Sequence, residues 1–199
     1  MTATIALSTT SSLPSLGREV VPLSRKHYDS LIDSGLLTPA DKVELINGQL
    51  FKKMSIGSKH NRMVTTLLRL LLQKLGERAV VISQGPVALH EYSEPEPDIA
   101  VVRPPEIAYD LRHPEPADVF FLIEVADSSL RFDREAKVPL YAACDIPECW
   151  LVDVNAQTIT VFTQPEGASY RASTEYKSGD TITLSMFPDV QIALAELGW

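Results

Sequence analysis

The chain has 199 residues, of which 45% are hydrophobic, and a formal net charge of -8 at pH 7. This length supports one substantial hydrophobic core and argues against a second full domain. The negative charge argues against a protein that simply coats nucleic acid, because nonspecific phosphate binding rests on Lys and Arg. Cys144 and Cys149 form neither a CxxC motif nor a Cys/His cluster, so no zinc site or disulfide framework is indicated.

The N-terminal segment differs in composition from the rest of the chain. Residues 1–17 are rich in Ser and Thr and lack the basic start and apolar stretch of a secretory signal. We expect a flexible tail over residues 1–17 and a single domain over residues 18–199. No run approaches the roughly 18 apolar residues of a membrane span. We therefore expect a soluble cytoplasmic protein without a membrane partner.

The first predicted elements are a helix and a hairpin. Residues 24–35 are predicted to form a helix, with Ser24 as the candidate N-cap and Gly35 as the candidate C-terminal residue. In residues 43–51, apolar residues surround Asn47-Gly48, the strongest short turn signal, so a β-hairpin is predicted. Glu44 lies in its first strand.

A long amphipathic helix is predicted from Ser58 to Gly76. Its apolar stripe consists of Met63, Val64, Leu67, Leu68, Leu71, Leu72 and Leu75. The opposite face is polar and includes Lys59, Arg62 and Arg69. Such charged faces are usually only solvated, and contact with nucleic acid is the alternative. His60 lies in the first turn near the apolar edge, where a packed histidine is the ordinary case and a site role the alternative.

Short strands with proline-rich turns follow. They are predicted at residues 79–83, 86–90, 97–102 and 119–125. Asp133 is a candidate cap for a helix through Ala143, in which Pro139 predicts a kink or a late start. Further strands are predicted at residues 149–154, 158–164, 169–174 and 181–184. Helices between groups of strands predict a mixed sheet flanked by helices. A glycine-rich phosphate loop and a GxSxG elbow are absent from the sequence, which removes the common nucleotide-binding and serine-hydrolase functions.

Two acids mark strand ends. Asp98 opens the run 99–102 and Glu124 closes the run 120–123. An isolated charge at a buried strand edge is costly, so such an acid normally has a partner. Side by side, these strands would bring both carboxylates to one end of a sheet, and magnesium takes such oxygen ligands. A nearby Lys137 would offset the acids and orient or deprotonate an attacking water. The alternative is that Asp98 caps a turn, Glu124 meets a structural arginine and Lys137 is a solvated helix residue.

Charge is unevenly distributed around these residues. Residues 51–80 contain seven Lys or Arg and one Glu, whereas residues 91–118 contain eight Asp or Glu and two Arg. An acidic rim beside a basic helix suits a metal site that also meets a polyanion.

The ordered series of motifs resembles the PD-(D/E)XK nuclease superfamily. Within it, the series is similar to the Uma-type family of predicted restriction-endonuclease-like proteins. The resemblance runs from about Tyr28 to the C-terminus. It includes the VELINGQL segment, the helix that opens with His60, the Pro97-Asp98 strand, the strand ending in Glu124, the D...K...LYA helix and the IPECWLVD strand.

This resemblance implies a mixed α/β fold with a restriction-endonuclease-like core and additional C-terminal strands. It implies hydrolysis of a nucleic-acid phosphodiester bond supported by magnesium or manganese. By position, Asp98 and Glu124 would be metal ligands and Glu44 a further carboxylate. The superfamily pattern puts its lysine two residues after the glutamate, where this chain has Ala126. Lys137 on the following helix is the substitute in the Uma-type arrangement.

The expected function is therefore a metal-dependent endonuclease, with Asp98, Glu124, Lys137 and Glu44 as catalytic residues. His60, Gln84 and Tyr141 are candidate accessory residues. The expected partner is nucleic acid, DNA in particular, held by Lys59, Arg62 and Arg69, and a homodimer is expected by analogy. Two alternatives stay open: a catalytically inactive binding or regulatory module on the nuclease fold, and a metal-dependent hydrolase of small phosphoesters.

Overall fold

A computed structural model describes residues 20–199, so the tail expected at residues 1–17 lies outside the described residues. The chain divides into two compact units. Among the described residues, the first comprises residues 20–53 and 89–95, and the second comprises residues 54–88 and 96–199. The single domain expected over residues 18–199 stays a prediction. Within residues 20–199, no helix is long and apolar enough to cross a membrane.

The described part of the first unit contains a helix and a hairpin. Helix α1 (Arg25–Asp33) begins after Ser24, whose side chain accepts a hydrogen bond from the His27 amide. Strands β1 (Val43–Ile46) and β2 (Gln49–Lys52) form an antiparallel hairpin. Its turn has positive φ at both central residues, 49° at Asn47 and 76° at Gly48, as the two-residue hairpin turn requires. The helix and the hairpin are where the sequence predicts them.

The second unit is built on a six-stranded sheet in the order β3-β4-β5-β6-β7-β8. The β5–β6 pair is parallel and the other pairs are antiparallel, so the predicted mixed sheet is confirmed. The strands are β3 (Val80–Ser83), β4 (Ile99–Val102), β5 (Val119–Ala126), β6 (Glu148–Asp153), β7 (Thr158–Glu166) and β8 (Ser169–Tyr176). Every residue of β4 and β5 is buried, which explains their continuous apolar runs.

Helix α2 (Ser58–Leu75) covers one face of this sheet. Its buried apolar residues are Met63, Val64, Leu67, Leu70, Leu71 and Leu75. They share a core with Ile99, Phe121, Ile123 and Val125 of the central strands. The predicted apolar stripe is therefore mostly correct, although Leu72 is 51% exposed and Leu70 is buried instead.

A broken helix follows β5 and contacts the opposite face. It consists of α3 (Leu130–Phe132), a π-helical turn (Asp133–Lys137) and α4 (Val138–Ala143). Pro139 lies in the first turn of α4, directly after the π turn, so the disturbance predicted at this proline takes the form of a break within the helix rather than a late start. Asp133 is not the predicted N-terminal cap: it lies inside the π turn and accepts a hydrogen bond from the Ser129 hydroxyl at 2.6 Å.

The remaining residues form a hairpin and short turns. Strands β9 (Thr181–Leu184) and β10 (Phe187–Ala193) pair in antiparallel fashion. Short 3-10 turns occur at Pro39–Asp41, Gly76–Arg78, Glu106–Tyr109, Pro116–Asp118 and Leu194–Leu197. The strand predicted at residues 86–90 is wrong, since the only ladder contact there is an isolated bridge between His90 and Ser93. Both cysteines are buried free thiols.

Candidate active site

The register of β4 and β5 brings two acids together. Ile99 pairs with Ile123. Continuing this antiparallel register by one residue, past the start of β4, places Asp98 beside Glu124 at the same edge of the sheet. The Asp98 carboxylate also contacts this strand, because its Oδ2 accepts a hydrogen bond from the Val125 amide at 2.8 Å.

The second oxygen of Asp98 is held by His60. The distance from His60 Nε2 to Asp98 Oδ1 is 2.9 Å. The hydrogen bond to Asp98 raises the pKa of His60, and the negative charges of Asp98, Asp127 and Asp133 add to this increase, while burial opposes it. His60 is 8% exposed, and its Nδ1 has no hydrogen-bond partner in the described part of the chain. The histidine thus lies among acids and fixes the orientation of Asp98.

Glu124 is held from the helix on the other face. Strand alternation puts Ile123 and Val125 in the core with α2, so the intervening Glu124 points away from α2. Lys137 Nζ lies 3.3 Å from Glu124 Oε2, and the Tyr141 hydroxyl donates to Glu124 Oε1. Lys137 is only 5% exposed. The alternative in which Glu124 meets a structural arginine and Lys137 is solvated is therefore wrong.

Asp133 is a buried acid close to this site that the sequence reasoning did not include. It is 3% exposed and precedes Lys137 by four residues, as Lys137 precedes Tyr141. Its charge raises the pKa of His60, and, with Glu124, that of the Cys149 thiol, for which burial is the main cause. Its spacing of four residues from Lys137 was the only hint in the sequence, and it does not by itself predict the burial of Asp133.

A second missed group lies where β5 ends. Asn155 Nδ2 donates to the backbone oxygen of Asp127 at 2.7 Å and to its Oδ1 at 3.2 Å. Lys59 Nζ in turn donates to Asn155 Oδ1 at 3.1 Å. Gly57, the N-cap of α2, is so close that a Cβ there would lie 2.6 Å from Asp127 Oδ2. These contacts fix the start of α2, and with it His60, against the end of β5.

The other predicted residues lie in different environments. Gln84 is exposed, with φ of 53°, and its backbone N–H donates to the backbone oxygen of Asp98 at 3.0 Å. Glu44 is buried on β1 in the first unit, so its convergence with the acids of the second unit stays a prediction. On α2, Arg62 and Arg69 are exposed like Lys59, and Arg62 Nη1 donates to the Leu197 carbonyl at 2.9 Å.

The donor chemistry fits a hard divalent cation. Residues 20–199 contain no group of three or more His, Cys, Asp or Glu side chains arranged to hold a metal. Magnesium does not need such a group, since it is typically bound by one or two carboxylates, with water and substrate phosphate as the other ligands. Asp98 and Glu124 supply two carboxylates at one sheet edge. They are the residues that would hold the ion.

The mixed sheet flanked by helices, with acids at the edge of its central strands, is the architecture of nuclease-like α/β proteins. The chain belongs to the Uma2 family, described as "Putative restriction endonuclease", whose model matches residues 26–195. The fold is also similar to the crystal structure of a putative nuclease of DUF820 from Anabaena variabilis. That similarity has a TM-score of 0.70 at 16% identity and covers 88% of this chain and 97% of the other. No curated protein matches the chain.

Proposed function

We propose that this protein is a magnesium- or manganese-dependent endonuclease that hydrolyses phosphodiester bonds of nucleic acid, with DNA as the substrate. Membership of a family described as "Putative restriction endonuclease" and the similarity to a protein described as a "putative nuclease" support this function. The observation that carries it is the buried Glu124, with Lys137 Nζ at 3.3 Å and Asp98 beside it at the same edge of the sheet. Burying a carboxylate beside a lysine costs desolvation free energy. Such costly arrangements of ionisable groups cluster at functional sites.

Each side chain of the candidate site has a separate role in the proposed reaction. Asp98 and Glu124 hold the cation, which when bound polarises the phosphate and makes a bound water more acidic. Lys137 pairs with Glu124 and orients the attacking water or receives its proton. Tyr141 and His60 hold the outer oxygens of Glu124 and Asp98, so that both carboxylates keep one orientation. Glu44 is proposed as a further carboxylate and Gln84 as an accessory group.

The exposed basic face of α2 is proposed to bind the phosphate backbone through Lys59, Arg62 and Arg69. Because the whole chain is acidic, binding must depend on such a local basic surface. We further propose that the enzyme is cytoplasmic and acts as a homodimer.

A nicking assay with purified protein tests the function. We expect manganese-dependent cleavage of plasmid DNA that EDTA abolishes. Lys137→Met keeps the side-chain volume but removes the amine, so turnover should fall about a hundredfold or more while manganese still raises the melting temperature. Glu124→Gln should abolish both cleavage and the manganese effect.

Glu148 offers a matched control. It is a buried strand glutamate like Glu124, but it is bonded to Trp150 Nε1 at 2.5 Å and to the Ser185 amide at 3.2 Å. Glu148→Gln should leave manganese binding intact. Salt-sensitive DNA binding without cleavage by the wild type would indicate a binding module instead. Cleavage of bis-p-nitrophenyl phosphate but not of DNA or RNA would indicate a small-phosphoester hydrolase.

A further inference from the structure

Pro139 shapes the helix that carries Lys137. A proline in a helix has no N–H and its ring collides with the carbonyl four residues earlier, here that of Glu135. The turn before it is widened, and the Val138 amide donates to the Asp133 carbonyl five residues back. Such π turns are rare and frequently occur at functional sites.

The widened turn changes which side chains share a face. Asp133, Lys137 and Tyr141 are spaced by four residues, and in a regular α-helix each such step overshoots a full turn, giving a drift of about 80° over the two steps. A π turn contains more residues per turn, so the step from Asp133 to Lys137 falls short of a full turn. The smaller rotation about the helix axis from Asp133 to Lys137 therefore offsets the larger rotation from Lys137 to Tyr141. The three side chains therefore form a row on one face, and their exposures of 3%, 5% and 0% show that the whole row is buried.

Two side chains of this row, Lys137 and Tyr141, contact Glu124. Both bond to its carboxylate. At the other end, Asp133 accepts from the Ser129 hydroxyl at 2.6 Å. Lys137 therefore reaches Glu124 from the helix, although Ala126 occupies the strand position two residues after that glutamate.

We propose that Pro139 is a positioning residue of the active site: by imposing the π turn it aligns Asp133, Lys137 and Tyr141, so that the helix delivers the lysine to Glu124. This inference rests on the proposed function only for its effect on turnover. Pro139 itself touches no reacting group and acts through Lys137.

The crystal structure of Pro139→Ala tests the alignment without any activity. Alanine is a far better helix former than proline, so the variant should fold. We expect a regular helix in which either Asp133 or Lys137 loses its burial, because one of them must rotate out of the row. A persisting π turn, or a regular helix with both residues buried and Lys137 on Glu124, would overturn the proposal. Pro188→Ala, at an exposed residue of β10, is the control and should leave the row intact.

Kinetics then test whether Pro139 acts through the lysine. Pro139→Ala should lower kcat on the order of tenfold to a hundredfold, since small misplacements of a catalytic group are costly, while the manganese-induced rise in melting temperature persists. In a Lys137→Met background the same change should cost nothing further. Equal losses in both backgrounds would show a general structural role and overturn the proposal. Absence of cleavage by the wild type would instead refute the proposed function, and the crystal structure alone would decide the role of Pro139.

Discussion

At the scale of single residues, each acid of the candidate site has its own partner. Two neighbouring carboxylates disfavour each other's ionised form when no cation is bound. Here Asp98 bonds to His60 and to the Val125 amide, and Glu124 bonds to Lys137 and Tyr141. The metal-free protein therefore holds both carboxylates in place rather than being destabilised by them.

Asp98→Asn should consequently cost stability without metal. A hydrogen bond to a charged group contributes more than a neutral one, so we expect a loss of about 1–2 kcal/mol in the free energy of unfolding in EDTA. The rise in melting temperature with manganese should disappear. Asp189→Asn is the control, because Asp189 forms an exposed ion pair with Arg78. A metal-free variant as stable as the wild type would show that repulsion between the two acids outweighs these hydrogen bonds.

Gly57 permits a close approach that no other residue allows. Gly57→Ala would place a methyl group 2.6 Å from Asp127 Oδ2 and would put a poor N-cap residue at the start of α2. We expect a loss of about 1–2 kcal/mol in unfolding free energy and weaker manganese binding, since His60 lies one turn further on. Both are measured by denaturant unfolding and manganese titration. Ser58→Ala, at the adjacent exposed residue, should change neither, and a neutral Gly57→Ala would mean that Asp127 moves freely.

At the scale of elements, the segment between β4 and β5 is organised around Asp118. Its carboxylate binds Arg112 through two hydrogen bonds of 2.5 and 3.1 Å and accepts from the Glu115 amide at 2.9 Å. The Arg103 amide donates to the Asp118 carbonyl at 2.8 Å. The hydrogen bond with Arg112 is the main reason why the pKa of Asp118 is lowered, and the Glu115 amide adds to it against the effect of burial.

This shift predicts a pH dependence of stability. A carboxylate with a lowered pKa in the folded state stabilises the fold above its unfolded pKa, near 4. That contribution is lost as the pH falls through the folded pKa. Asp118→Asn should therefore lower the melting temperature at pH 7, and the difference from the wild type should shrink steadily below pH 4. A difference that is constant from pH 7 to pH 2 would exclude the ion pair as its cause.

The elements with a clear period or turn signal were predictable from the sequence. The α2 helix, the Asn47-Gly48 hairpin and the buried strands β4 and β5 lie close to the predicted bounds. Strand β10 was missed because Pro188 and Asp189 resemble a turn, and the register with β9 is in fact irregular there. Residues 87–89 are apolar and buried without forming a strand, and composition alone cannot distinguish such a segment from a buried strand.

The candidate site was only partly predictable, because some of its features depend on packing between distant segments. Strand position and residue type made Asp98 and Glu124 candidates, and Lys137 was the candidate lysine on the following helix. Pro139 signalled a disturbed helix, but neither the π turn nor the burial of Asp133 follows from local preference, because both depend on packing against the sheet. The Asp127, Asn155 and Lys59 contacts join segments far apart in the chain, and a single sequence carries no signal for such pairs.

At the scale of the whole molecule, the proposed substrate and the net charge have the same sign. A protein with a net charge of -8 repels a polyanion unless a local surface compensates. The exposed face of α2 is the candidate surface. Two of its cations have protein acceptors, Asn155 Oδ1 for Lys59 and the Leu197 carbonyl for Arg62, which fix their positions. Substituting Arg69 therefore disturbs the fold less than substituting Arg62.

Arg69→Glu should weaken DNA binding specifically. Loss of one phosphate contact should reduce the slope of log K against log salt concentration by about one. Fluorescence anisotropy in EDTA measures this binding without cleavage. Arg171→Glu, at an exposed residue of β8 paired with Glu166, changes the net charge by the same amount and is the matched control. If Arg69→Glu reduces affinity and slope while Arg171→Glu does not, α2 contacts the phosphates. Equal effects would mean that only total charge matters, and the proposal of α2 as the nucleic-acid surface would be wrong.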